Sequence, residues 1–144
     1  MSEEAAFWDT SALVPLCVIQ RTSPEAGKLL ERYSPVVWWG AVAEIHSAVW
    51  RVVRSGEIDE TRARQAIETS RWLQTVWQEI MPDELVREMA CALLEKYPLR
   101  AADSLQLAAA MAWCGERPEG RKFLCSDRRL SEAARAAGFS VVEI

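Results

Sequence analysis

Four acidic residues stand where chemistry is possible. Asp9 ends the short apolar run Ala5-Ala6-Phe7-Trp8, and Asp127 follows a second run, Lys122-Phe123-Leu124-Cys125, after Ser126. Glu44 lies between Ala41 and Ala48 at helical spacing, beside the apolar stripe Val42, Ile45, Val49 and Val52. Asp103 heads an Ala-rich helical stretch. A carboxylate beside an apolar stripe is costly unless it is paired or bound to a cation. Carboxylates brought together offer hard oxygen ligands, which suit Mg2+ or Mn2+. One or two such ions can activate a water and steady the leaving oxygen in phosphodiester hydrolysis. That chemistry needs no histidine base, and the single histidine, His46, cannot by itself anchor a zinc site or a catalytic triad. Each acid also has a purely structural use. Asp before a helix is a common N-cap, and a first-turn Glu complements the helix dipole. Ser11, two residues after Asp9, is either a hydroxyl that orients a ligand or water in support of the acids, or a helix start.

The elements that must position these acids alternate in period. Ala5–Trp8 reads as a buried strand, and Ser11–Gln20 as a helix that Pro15 could kink. Ser23 and Pro24 open a helix to about Tyr33, Ser as N-cap and Pro at the first helical position. Val36–Trp39 reads as a strand bounded by Gly40, followed by a helix from Ala41 that Gly56 ends. A helix from about Asp59 to Thr75 is packed on one side by Ala63, Ala66, Ile67 and Trp72. Val76–Met81 suits a short edge strand. Pro82 and Asp83 start a helix with Leu85, Met89, Ala92 and Leu93 on one stripe, which Pro98 breaks. The helix headed by Asp103 carries a stripe of Leu105, Ala108, Ala109 and Ala112. The strand Lys122–Cys125, a helix closed by Gly138 and a strand at Val141-Val142 complete the chain. Strands alternating with helices imply a parallel sheet covered on both faces. In such a sheet the C-terminal strand ends share one edge, where ligands bind at a switch point. Asp9, Glu44 and Asp127 therefore face one rim, and Asp103 joins them if its helix starts there.

Composition sets the outer bounds. At 144 residues, half of them hydrophobic and 26% charged, the chain suits one globular domain spanning 1–144. No apolar run approaches a membrane span, and the acidic N-terminus is unlike a signal peptide, so the expected location is the cytoplasm. Cys17, Cys91, Cys114 and Cys125 form no metal-spaced cluster and read as small buried residues in a reducing compartment. A net charge of −4 gives no bulk case for nucleic-acid binding. Local basic groups exist, Arg51, Arg54, Arg62, Arg64 and Arg71 in one half and Arg121, Lys122, Arg128, Arg129 and Arg135 in the other. They serve either as phosphate contacts or as solvated helix faces.

Phe7-Trp8-Asp9-Thr10-Ser11-Ala12-Leu13 resembles the opening of PIN domains: a strand, an Asp, then a small hydroxyl residue starting a helix. Glu44, within Ala41–Ala48, sits where that family places the acid of its third helix. Leu99–Ala110, with Asp103 before an Ala-rich helix, is the most specific match, and Cys125–Leu130 is similar to the last acidic motif. Ser104 and Gln106 depart from the family pattern, which carries Ala and His there in many members. The resemblance spans nearly the whole chain. It implies a three-layer α/β/α sandwich with a central parallel sheet and a Mg2+- or Mn2+-dependent endoribonuclease acting on RNA. Asp9, Glu44 and Asp103 are then the principal metal ligands, with Asp127 in support. Stand-alone domains of this size resemble VapC-type toxins, which implies a cognate antitoxin partner and a homodimer. Such antitoxins lay a helix in a hydrophobic groove. Trp38, Trp39, Trp50, Trp72 and Trp77 either line it or fill the core.

Other classes fit less well. A catalytically silent interaction module would keep this fold without turnover. A phosphoacceptor receiver wants adjacent acids after the first strand and a late Lys, and here Trp8 precedes Asp9 and no Lys follows Lys122. An aspartyl-nucleophile phosphatase wants Asp-x-Asp, where this chain has Asp9-Thr10-Ser11. No Gly-rich phosphate loop occurs.

Overall fold

A computed structural model describes residues 4–144. Five strands and seven helices alternate along it: β1 (Glu4–Trp8), α1 (Thr10–Cys17), α2 (Ser23–Arg32), β2 (Tyr33–Trp38), α3 (Ala41–Arg54), α4 (Glu60–Val76), β3 (Gln78–Ile80), α5 (Glu84–Lys96), α6 (Ala101–Trp113), β4 (Lys122–Cys125), α7 (Arg128–Ala137) and β5 (Ser140–Glu143). All strand pairs are parallel, in the order β3-β2-β1-β4-β5. The chain winds outward from β1 through β2 to β3, then returns to the other side of β1 for β4 and β5. Strand order therefore reverses between β1 and β4, which makes the crevice above their C-terminal ends the switch point.

Strand alternation divides the core between the two faces. Ala6, Trp8, Val37 and Leu124 pack with α1, α3 and α4 through Leu13, Ile45, Val49, Ala63 and Leu73. Phe7, Val36, Trp38, Phe123 and Cys125 pack with α5, α6 and α7 through Val86, Leu107, Ala108 and Leu130. The result is the three-layer α/β/α sandwich implied by the sequence. The Phe7 and Phe123 rings stack at 5.3 Å across β1 and β4. No helix among the described residues is long and apolar enough to cross a membrane.

Several boundaries differ from the sequence reading, each for a physical reason. α1 stops at Cys17, not Gln20. The Ser23 hydroxyl takes over there, donating to the Pro15 carbonyl at 2.6 Å and accepting from the Gln20 amide at 2.8 Å. β2 begins at Tyr33, before Pro35. β3 pairs only from Val36 onward, so Pro35 lies on a stretch of β2 unpaired on its outer side, where a residue without an N–H is tolerated. The edge strand β3 is shorter than expected because Val76 belongs to α4. α6 starts at Ala101, which puts Asp103 in its first turn and not at its head.

Two helices keep the expected stripe only in part: Ala63, Ala66 and Ile67 of α4 are buried, and Met89 and Leu93 of α5 pack on the core, but other positions differ. α5 buries Val86 and Ala90, leaving Leu85 and Ala92 exposed, and α4 buries Leu73 while Trp72 is exposed. In both helices the buried face is set by the partner it packs on, and more than one apolar stripe is compatible with the periodicity. Trp38 and Trp77 are core, whereas Trp39 and Trp72 are about half exposed. All four cysteines are free thiols, and Cys91 is exposed on α5, contrary to the expectation of burial.

Candidate functional site

Asp9 is the N-cap of α1. It leaves β1 in extended conformation, and its Oδ2 accepts from the Ser11 amide at 3.1 Å and from the Ser11 hydroxyl. The side chain is 5% exposed. Burial pushes its carboxyl up to about 6, opposed by the two Ser11 bonds and reinforced by the charges of Glu44 and Asp103. Ser11 also joins the ends of β1 and β4. Its Oγ accepts from the Ser126 amide at 2.9 Å, and its carbonyl accepts from the Ser126 hydroxyl at 3.1 Å. That carbonyl would ordinarily serve the helical N–H of residue 15, but Pro15 has none. The proline in mid-helix thus frees an acceptor at the crevice.

Glu44 is carried by the first turn of α3. It is half-buried, and its Oε1 accepts from the Thr10 hydroxyl at 2.6 Å and from the Gln106 amide nitrogen at 2.7 Å. The same Gln106 nitrogen donates to Thr10 Oγ1 at 2.8 Å. α1, α3 and α6 are therefore tied together around one carboxylate oxygen.

Gly40, between β2 and α3, is needed for close approach. A Cβ there would lie 2.5 Å from the Trp38 indole nitrogen. Gly40→Ala is expected to cost about 1–3 kcal/mol, as overpacking does. The shift should fall on the start of α3 and so on Glu44. Denaturant melts check the loss, and an unchanged midpoint would show that the indole swings aside freely.

Asp103 lies one helical turn before Gln106 on α6. Its carboxyl is raised by burial first and by the nearby charge of Asp127 second, with Arg100 and Arg129 acting the other way. Asp127 is exposed and caps α7, its Oδ1 accepting from the Leu130 amide at 3.0 Å. The structure thus assigns Asp9 and Asp127 the capping role while leaving each in the crevice.

All four acids, with Ser11, line one cleft of about 680 Å3 at the C-terminal edge of the sheet. Thr10, Gln106, Ser47 and Arg51 share it. Ser47 and Arg51 follow Glu44 at three- and seven-residue spacing, so they continue its face of α3 away from the acids. Sequence reasoning gave no site role to Thr10 or Gln106. The available signal was spacing: Thr10 adjoins Asp9, and Gln106 shares the face of Asp103 at i, i+3.

Among the described residues, no three His, Cys, Asp or Glu side chains are drawn into a ready-made metal-holding group. The acids share the cleft without forming such a group. Their donor chemistry nonetheless fits a hard divalent cation, because Mg2+ needs only one or two carboxylates and fills its shell with waters and substrate phosphate. Asp9 Oδ2 and Glu44 Oε1 are engaged by protein donors, and no hydrogen bond from the described residues occupies the other oxygen of either.

Neither a protein-family model nor a curated protein sequence matches the chain. The fold is similar to a solved structure described as a toxin–antitoxin complex from Klebsiella pneumoniae, with TM-score 0.63 and 20% identity, over 97% of this chain and 100% of that one. At that identity the likeness establishes a shared architecture.

Proposed function

We propose that this chain is a Mg2+- or Mn2+-dependent endoribonuclease of the PIN-domain kind, acting as the toxin of a toxin–antitoxin pair. The observation that carries the reading is the convergence of Asp9, Glu44, Asp103 and Asp127 on one cleft at the sheet's switch point. Asp9, Glu44 and Asp103 would hold the ion, with Asp127 in support. When bound, the ion supplies the Lewis acidity that phosphodiester hydrolysis needs. The chain's own residues prepare the site. Ser11 fixes Asp9 in one rotamer and locks the β1 and β4 ends together. Burial keeps Asp9 in a low-dielectric setting where its charge interacts strongly. Arg51 offers a guanidinium to an RNA phosphate on the same wall.

The architecture shared with a protein from a toxin–antitoxin complex supports the toxin reading and a cognate antitoxin as partner. A homodimer and a cytoplasmic setting accompany the same proposal. The net charge of −4 favours one rival, a silent module that keeps the fold without turnover.

The test is cleavage of an RNA pool by purified, antitoxin-free protein with Mg2+ or Mn2+, and again with chelator. Cutting that needs the metal is expected. Cutting that survives chelation would sink the metal mechanism. A protein that neither cuts nor binds Mn2+ would leave the silent module standing.

A further inference from the structure

Gln106 is 1% exposed, and its carbonyl Oε1 is buried without a hydrogen-bond partner. A leucine would carry no such orphan, although Thr10 Oγ1 and Glu44 Oε1 would each lose a donor. A polar residue that leaves an acceptor unpaired is therefore not explained by packing. Its amide nitrogen, in contrast, is fully used, on Thr10 Oγ1 and Glu44 Oε1.

We infer that Gln106 and Thr10 are positioning residues that saturate Glu44 Oε1 and so present Glu44 to a divalent cation through Oε2 alone. Two donors within 2.7 Å hold one oxygen and fix the carboxylate plane. Thr10 acts in both directions, because its hydroxyl proton goes to Glu44 while its lone pair takes the Gln106 N–H. The arrangement parallels Asp9, whose Oδ2 is held by Ser11 in the same way. Residues that orient a ligand from behind typically change metal affinity about 10–100-fold when removed.

The inference rests on the cleft being a metal site, and its test reads metal binding directly. Mn2+ affinity is measured by calorimetry on wild type, Gln106→Leu, Thr10→Val and Thr10→Ser, with RNA cleavage and thermal melting in parallel. Gln106→Leu is expected to remain folded yet bind Mn2+ about 10–100-fold more weakly. Thr10→Val should lose affinity similarly, and Thr10→Ser, which keeps the hydroxyl, should retain it. Thr10→Val carries the test if Gln106→Leu does not fold. Wild-type affinity in the folded variants would overturn the inference while leaving a metal-dependent nuclease intact. If the wild type binds Mn2+ but cuts no RNA, the same losses of affinity uphold the network and the nuclease reading alone falls. A wild type that binds no Mn2+ overturns both.

Discussion

Asp9→Asn is expected to melt later than the wild type and to cut no RNA. Asp9 is 5% exposed, and burial raises its carboxyl from 3.8 to about 6. The folded protein therefore holds a proton between those values that the unfolded chain releases. The contribution of Asp9 to stability is highest below about pH 4, falls as pH climbs from there to 6, and stays at the lower level above it. Two units at about 1.4 kcal/mol each make the charged form cost about 3 kcal/mol at neutral pH. Asparagine keeps the shape and carries no charge, so the variant should lead by about that much at pH 7.5 without divalent ions, and by much less at pH 4.5. Denaturant melts at the two pH values measure the gap. A gap independent of pH, or a wild type more stable at pH 7.5, would refute the electrostatic account. Added Mn2+ should stabilise the wild type, since a ligand that binds only the folded state shifts the equilibrium toward it, and should do far less for the variant. The acid is retained at a cost in stability, which is common where like-charged, buried groups are gathered for function.

Asp103→Asn should be the converse, with little change in the fold and a large loss of activity. Asp103 sits in the first turn of α6, where its charge is worth about 0.3–1 kcal/mol against the helix dipole. Removing that charge also relieves repulsion with Asp127, so the net change in stability should be small. The rate of metal-dependent cleavage should drop roughly 10²–10³-fold, the scale seen when one electrostatic group is lost from a catalytic site. Single-turnover cleavage with a labelled RNA measures it. A well-folded, fully active variant would remove Asp103 from the site and with it the most specific part of the resemblance.

Most of the capping chemistry and the strand pattern are legible in the residues themselves; the exception is α2, whose N-cap is Thr22 and not Ser23, because the Ser23 hydroxyl is taken by Pro15 and Gln20. Asp9, Asp59, Asp83 and Asp127 each cap a helix through the side chain, and Gly138 ends α7 at φ 116°. Asp beside a helix start and Gly past its end are local signals, carried by two or three residues. Lys122–Cys125 is a strand with the boundaries read from its apolar run. The faces of α4 and α5 are less legible. The period shows that a helix is amphipathic, but where several apolar residues straddle the stripe the neighbouring element chooses among them. The same holds for Cys91 and Trp72, which are apolar by type and exposed by position.

The sequence by itself indicated the order of elements and the parallel sheet, because strands and helices alternate along it, and it placed the four acids at strand ends and in first helical turns. It also predicted that Asp9, Glu44 and Asp127 share a rim, since that follows from parallel strands. Only the tertiary structure decided that Asp103 reaches the same cleft, that Pro15 frees a carbonyl for Ser126, and that Gln106 bonds both Glu44 and Thr10, themselves joined by a hydrogen bond. These contacts join residues 34 to 115 positions apart. No local pattern encodes such a pairing. It exists because the packing of α1, α3 and α6 against the sheet brings those side chains within hydrogen-bond reach.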